Sequence, residues 1–480
     1  MVIAKPALEQ RFDRIRKPFR KFLRTQTLSS GLLLSGLVAA LVMVNAGWQE
    51  TYRGIQSLPL GFRCGKWEIA GSLLGWVNDG LIVVFFFLIG LEIKREFLVG
   101  ELRQKERRLL LLAAALGGMV LPAAIYLGVN SASPIGVIRG WGIPMATDTA
   151  LAIGVLATLR HRTPRSLASF LVGLAIVDDI GAVLVITVFY TTSLSWFALG
   201  VAASAMAALI VVNRAGFGHP LWYFSGAVTL WISLHEGGIH ASTAGVLAAL
   251  TVPARPRVKS RRLARSARRV YRRLRGDKRD RDVLADGARH AQIRAVERAA
   301  RNATTPLRRW EDSLALPVAL LILPAFAFLN GGIHIDGDVL RRVWVDPVAL
   351  GIVLGLVVGK PAGILGAAWV AVRTGIAVLP DAIRWRHICG LGLVAGIGFT
   401  MSTFIGNLAF AGSDHDIGLA KLAILEGSLL AGALGFVVLW RSSPRRTPPH
   451  RRPDEEEQKG PEHAGVESPL PLAHPSDPRP

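Results

Sequence analysis

Residues Leu167 to Tyr190 read LASFLVGLAIVDDIGAVLVITVFY, a run with no charged residue except two adjacent aspartates, Asp178 and Asp179, at its centre. About twenty apolar residues in a helix cross the hydrocarbon core of a bilayer. Working outward, comparable runs recur at Leu28 to Gly47, Leu73 to Ile93, Leu109 to Val129, Trp141 to Leu159, Leu194 to Val212, Leu221 to Leu234, Ile239 to Val252, Leu314 to Leu329, Val348 to Val372, Ile388 to Phe410 and Leu419 to Trp440. With the first run they predict an all-α polytopic membrane protein of about twelve transmembrane helices, which satisfy their own backbone in lipid. A transmembrane barrel is excluded because its strands would alternate over segments of about ten residues. With 51% hydrophobic and 19% charged residues, disorder and a disulfide scaffold are excluded as well. Runs seven and eight, separated by His235-Glu236-Gly237-Gly238, are short and predict a tilted hairpin or a re-entrant pair.

The net charge is +22, and between Arg255 and Arg309 stand 20 Lys and Arg against 5 Asp and Glu, a surplus of 15. Nucleic acid is not the expected partner, because recognition wants aromatics among the arginines and only Tyr271 is there. A solvated stretch on anionic lipid is. Lys and Arg near span ends stay cytoplasmic, and with the N-terminus inside, the outer segments hold only Arg53, Arg63, Lys66, Arg139, Arg341 and Arg342. The expected layout is a basic cytoplasmic N-terminus over 1–27, a transmembrane domain over 28–440, a basic cytoplasmic loop over 253–313 between helices eight and nine, and a disordered cytoplasmic tail over 441–480. The first run follows a basic leader without a small-residue cleavage site and reads as an uncleaved span.

A charged residue within a span costs roughly 2.5–3.5 kcal/mol on insertion scales and marks function by default. Asp148, Asp178, Asp179 and Lys360 all fall near the middle of their runs, so three acids and one base can meet at the bilayer midplane. The plain alternative is that Asp178 and Lys360 only join two helices. Successive helix residues diverge by about 100°, so Asp179 needs another counter-charge, which a bound cation supplies. A hard cation takes carboxylate, hydroxyl and carbonyl oxygens, and Thr147 and Asp148 add to the set. Gly142 and Pro144 before Asp148, and Gly390, Gly392, Gly396 and Gly398 before Phe399-Thr400-Met401, predict two broken helices whose freed carbonyls line a cavity. Leu174-Ala175-Ile176-Val177-Asp178 matches Leu422-Ala423-Ile424-Leu425-Glu426, and Met145-Ala146-Thr147 matches Met401-Ser402-Thr403. Those pairs predict an inverted repeat of runs three to five and ten to twelve.

Ala146-Thr147-Asp148, Ala175-Ile176-Val177-Asp178-Asp179-Ile180-Gly181-Ala182, Gly359-Lys360-Pro361, Gly90-Leu91-Glu92-Ile93-Lys94-Arg95-Glu96 and Gly396-Ile397-Gly398-Phe399-Thr400-Met401-Ser402 resemble, in order, the signatures of NhaA-type sodium/proton antiporters. The resemblance covers about residues 25 to 440. It implies an inverted-topology repeat with two crossing discontinuous helices, and exchange of Na⁺ or Li⁺ for H⁺ in a bacterial inner membrane, supporting pH and sodium homeostasis. It implies Asp179 and Asp178 as ligands of the transported Na⁺ and carriers of protons, with Thr147 and Asp148 in the broken helix and Asp148 offsetting positive helix ends. Lys360 would compensate charge, pair with Asp178 or carry a proton. Glu92, Glu96 and Glu311 would serve cation access and pH sensing, and the outer loop 49–72 would hold a hairpin that forms a homodimer. No cofactor and no enzymatic activity are expected.

The sequence departs from the family where Glu311-Asp312-Ser313-Leu314-Ala315 lacks the histidine that follows the glutamate, and where Glu426 and Lys421 place unassigned charges in run twelve. His240 and Asp79 read as packing or polar contacts, and Cys64 and Cys389 as bystanders. An aspartyl protease would need two carboxyls sharing a proton, a poor fit for adjacent helix positions. A membrane-anchored scaffold leaves the midplane charges without a purpose. Topology is checked directly: a cysteine at position 282, in a chain with Cys64 and Cys389 replaced, should resist an impermeant maleimide added to intact cells and react once the membrane is opened. Labelling from outside would reverse the orientation.

Overall fold

In the computed structural model, residues 28–64, 67–100, 105–191, 194–217, 219–254, 294, 297, 304–380 and 382–442 are described. The cores of the basic loop and of the C-terminal tail lie outside them. The described chain is helical apart from one hairpin. In order come α1 (Leu28–Asn45), α2 (Gln49–Gln56), strands β1 (Pro59–Cys64) and β2 (Trp67–Ser72), α3 (Leu73–Val99), α4 (Lys105–Ser131), a 3-10 helix (Ile138–Met145), α5 (Thr149–Thr158), α6 (Arg165–Phe189), α7 (Trp196–Arg214), α8 (Pro220–Glu236) and α9 (Ala241–Thr251). After the loop follow α10 (Pro306–Asn330), α11 (Gly337–Val343), α12 (Pro347–Arg373), α13 (Trp385–Ala395), α14 (Phe399–Ala409) and α15 (Asp414–Ser442).

Eight of these helices are long and apolar enough to cross a membrane, and α13 with α14, bent by 48° at their break, makes up to nine. The other three predicted runs are the interrupted 3-10/α5 segment and the shorter α8 and α9. A Gly238 at φ 79 turns the chain between that last pair, a conformation in which a side chain would be strained. Helix starts are set by local chemistry. Thr305 caps α10 by accepting the Arg308 amide, and Asp346 caps α12 at Val348 and Ala349, each followed by proline in the first turn; a first-turn proline loses no hydrogen bond there. The ninth span therefore begins at Pro306, and Glu311 lies within its second turn.

The loop over 49–72 carries the expected antiparallel hairpin, in register Pro59 to Ser72 and Cys64 to Trp67; its turn, 65–66, lies outside the described residues. Before it, α2 is tied to the end of α10: the Tyr52 hydroxyl lies 2.7 Å from the Phe328 carbonyl and takes the Gly332 amide at 3.0 Å. Burial pushes this phenol up to about 12.

Two triplets share one plan: a long helix containing a proline, a broken helix, and a long helix. They are α4, the 3-10/α5 pair and α6, then α12, the α13/α14 pair and α15. The long helices α4 and α12 pack closely, α3 packs against both α9 and α10, and α7 packs against α8. Glycine makes the α4–α12 approach possible, since a Cβ at Gly117 would meet the Gly363 carbonyl and one at Gly363 would meet the Gly117 carbonyl. Small residues at such crossings let backbones touch. Gly117→Ala should accordingly destabilise the protein by about 1–3 kcal/mol through overpacking, read as a lower thermal midpoint in detergent. Gly366→Ala, with nothing within 4 Å of the added carbon, is the control; equal midpoints for the two would contradict the packing argument.

Candidate functional site

Both broken helices unwind at one place. Residues 146–148 separate the 3-10 helix from α5, and 396–398 separate α13 from α14. The two broken helices are tied together, the Asp148 amide donating to the Ile397 carbonyl at 2.6 Å and the Ser402 hydroxyl to the Ile143 carbonyl at 2.7 Å, and the Gly398 amide joins the second break to α15 through the Ser428 hydroxyl at 3.2 Å. Four helix ends thus terminate inside the bundle, each leaving backbone groups without intrahelical partners. Two side chains answer most of that need.

Asp148 serves the two N-termini. Its Oδ1 accepts the Leu151 amide of α5 at 3.0 Å, and its Oδ2 accepts the Thr400 amide and hydroxyl of α14 at 3.1 and 2.6 Å. One carboxylate caps two helices and faces the positive ends of both dipoles. Lys360 serves a C-terminus. Fully buried, its ammonium donates to the carbonyl of Met145, the last residue of the 3-10 helix, at 2.5 Å, and lies 3.2 Å from Asp178 Oδ2. The Thr147 hydroxyl has one proton to give and stands 2.7 Å from that same Asp178 oxygen and 3.1 Å from the carbonyl of Ala395, which ends α13.

The structure therefore brings Thr147, Asp148, Asp178, Asp179 and Lys360 together, all buried. The adjacent aspartates are not equivalent. Asp178 Oδ2 is engaged by Lys360 and Thr147, while its Oδ1 is buried without a hydrogen-bond partner. Asp179 makes no hydrogen bond or ion pair among the described residues, yet lies within electrostatic reach of Asp178, Glu92, Lys360 and Asp148. The divergence expected of neighbouring helix residues is seen: one acid has the lysine and the other does not. No group of three or more His, Cys, Asp or Glu among the described residues forms a metal centre.

Glu92, Glu96 and Glu311 form a second group towards the α3 C-terminus. Arg95 bonds Glu96 at 3.0 Å and Glu311 at 3.3 Å, and Arg308 lies 3.7 Å from Glu311. Glu92 feels Arg95, Glu311 and Glu96 and also Asp179, so acidic charge continues from this cluster to the aspartates. Glu426 stays apart: it is half-buried, with one oxygen unpartnered and no ion pair to Lys421. His240 caps α9 by accepting the Ser242 amide on Nδ1, which leaves the proton on Nε2, 3.5 Å from Asp79.

Sequence reasoning assigned no role to Thr400, Ser402, Arg95 or the Met145 carbonyl. Thr400 stands two residues after a glycine break, the position from which a helix amide points at a cap. That was the available signal. Residues 20–439 match the family model for Na⁺/H⁺ antiporter 1. The chain is 44% identical over 435 residues to a Na⁺/H⁺ antiporter NhaA 1 of Shewanella denitrificans, covering 91% of this chain and 96% of that one. It is 42% identical to an NhaA 1 of Pseudoalteromonas atlantica, covering 89% and 91%, and 42% identical to an NhaA 2 of Psychromonas ingrahamii, covering 92% and 93%.

Stability tests the shared cap. Thr400→Val removes a hydroxyl donor from a charged acceptor and should cost about 1.5–3 kcal/mol. Asp148→Ala strips both helix starts at once and should cost more. A thermal midpoint unchanged in Asp148→Ala would show that the two N-termini do not depend on it.

Proposed function

Because the chain belongs to the Na⁺/H⁺ antiporter 1 family, we propose that Asp178 and Asp179 are the carboxylates for which its transported cation and protons compete. The observation that carries this reading is the unequal pair: a buried Asp179 with no partner beside an Asp178 already held by Lys360 and Thr147. A buried carboxylate with no partner is costly to keep ionised, so Asp179 is occupied by a proton or a cation. Na⁺ would take oxygens from Asp179, from the free Oδ1 of Asp178 and from Thr147, the hard-donor set such an ion prefers. Its arrival weakens the Asp178–Lys360 pair, and a proton leaves from Asp178 or Lys360 together with the one from Asp179. Reversal on the other side of the membrane completes exchange. Li⁺ fits the same donors.

Asp148 and Lys360 hold the unwound ends at which this happens, so their charges shape the site whether or not they touch the ion. Glu92, Glu96 and Glu311 draw cations from the cytoplasmic end, and their ion pairs with Arg95 and Arg308 make that access sensitive to pH. Asp312 stands where the family has histidine, so any pH response at this cluster belongs to the carboxylates, whose arginine partners stay charged throughout. Both termini and the basic loop lie in the cytoplasm by the charge distribution, the membrane is the bacterial inner membrane, the loop at 255–309 rests on anionic lipid, and the hairpin Pro59 to Ser72 pairs two copies.

Asp179→Asn should abolish exchange in proteoliposomes while the protein still inserts, because an amide neither carries the proton nor balances the ion. Exchange within a few-fold of the unaltered protein would remove Asp179 from the centre of the mechanism. If proton and cation share the carboxylates, apparent Na⁺ affinity should weaken as pH falls through their operative range. An affinity flat from about pH 6 to 9 would require separate sites.

A further inference from the structure

Lys360 reaches the site through an irregular turn. Residues Gly355–Gly359 of α12 form a π-helical turn, closed by the Lys360 amide donating to the Gly355 carbonyl five residues back. The next residue is Pro361, which has no amide and whose ring would crowd the carbonyl of Val357 in an ordinary α-helix. Widening the turn removes the conflict. The same arrangement recurs in α10, where the Leu323 amide donates to the Val318 carbonyl and Pro324 follows.

Proline alone does not dictate it, since α4 contains Pro122 and is α-helical throughout. The turn at 355–359 is also wedged. A Cβ at Gly355 would lie 2.6 Å from Pro144, in the 3-10 helix whose end Lys360 caps, and one at Gly359 would lie 2.8 Å from Pro122 of α4. The carbonyl of Leu356 faces Gly396 at the other break. The turn therefore touches both broken helices and α4, and a π-turn holds one residue more than the α-helix it interrupts. Closing it to an α-turn would rotate the chain on one side by about 100° relative to the other. Lys360, the first residue after it, could not keep both its partners.

We propose that Pro361 is a positioning residue for exchange: by withholding an amide donor it keeps residues 355 to 359 in the π-turn, and that turn aims the Lys360 ammonium at Asp178 and the Met145 carbonyl together. The proposal rests on the reading of Asp178 and Lys360 given above. Without the ammonium in place, protons compete better for Asp178, so apparent Na⁺ affinity at fixed pH falls and the pH profile moves to the alkaline side.

The test compares apparent Na⁺ affinity from pH 6 to 9 in proteoliposomes for four variants. Pro361→Ala restores the amide and should weaken Na⁺ affinity about tenfold, the size seen when a group that orients an ion's ligand is lost, with the profile displaced in the same sense as for Lys360→Ala. Pro361 replaced by the α-hydroxy analogue of alanine puts an ester there, with neither amide donor nor ring, and should keep the original profile. Pro324→Ala, at the turn remote from Lys360, should keep it too. If Lys360→Ala leaves the profile unmoved, the reading of the site itself fails. If Lys360→Ala moves it and Pro361→Ala does not, or if Pro324→Ala moves it as far as Pro361→Ala does, the positioning role alone is overturned. The ester decides the matter even where Pro361→Ala does not insert: a displaced profile overturns the role of the missing amide, and an original one supports it.

Discussion

Helix ends cannot be left bare in a membrane interior, and four of them meet here. Every unpaired amide or carbonyl at that depth costs several kcal/mol unless something polar answers it. Asp148 answers the two amino ends, Lys360 and Thr147 answer the carboxyl ends, and Asp178 balances Lys360. The close glycine crossing of α4 and α12 and the stitching of 146–148 to 396–398 hold these groups at one depth. A site rich in charge is the price of unwinding two helices at the same point.

Much of this was legible in the sequence because lipid penalises exceptions. Asp148, Asp178, Asp179 and Lys360 interrupt apolar runs, and each interruption needs a reason. Pro144 and the glycines before Phe399 announced breaks, and the family resemblance implied the hairpin. The spans of α4, α6, α12 and α15 came out within a few residues, since hydrophobic length is a strong signal. The ninth span did not: charges at Arg308, Arg309, Glu311 and Asp312 hid a helix that begins at Pro306, because ion pairs and a threonine cap support it where hydropathy does not.

The π-turns were illegible for a different reason. One extra residue in a helical turn changes neither hydrophobicity nor length, and depends on which backbone lies across the interface. Gly355 and Gly359 pack against Pro144 and Pro122, which sit more than two hundred residues away. Likewise nothing local says that Thr400 completes the cap of Asp148 from another helix. Contacts of that kind belong to the crossing itself.

The charges at the crossing also bear on leakage. With Asp148, Asp178 and Asp179 ionised and Lys360 protonated, the vacant site holds two net negative charges, while the amino and carboxyl helix ends offset one another. Moving such a site past apolar walls would demand a large electrostatic self-energy, whereas two protons bring the total to zero and one cation, with Lys360 still charged, brings it to minus one. On the roles proposed for Asp178 and Asp179, an unloaded transit is thereby the least favourable one, and coupling of the two fluxes needs no separate lock: the lysine, by cancelling only one of three carboxylates, leaves a deficit that a passenger fills.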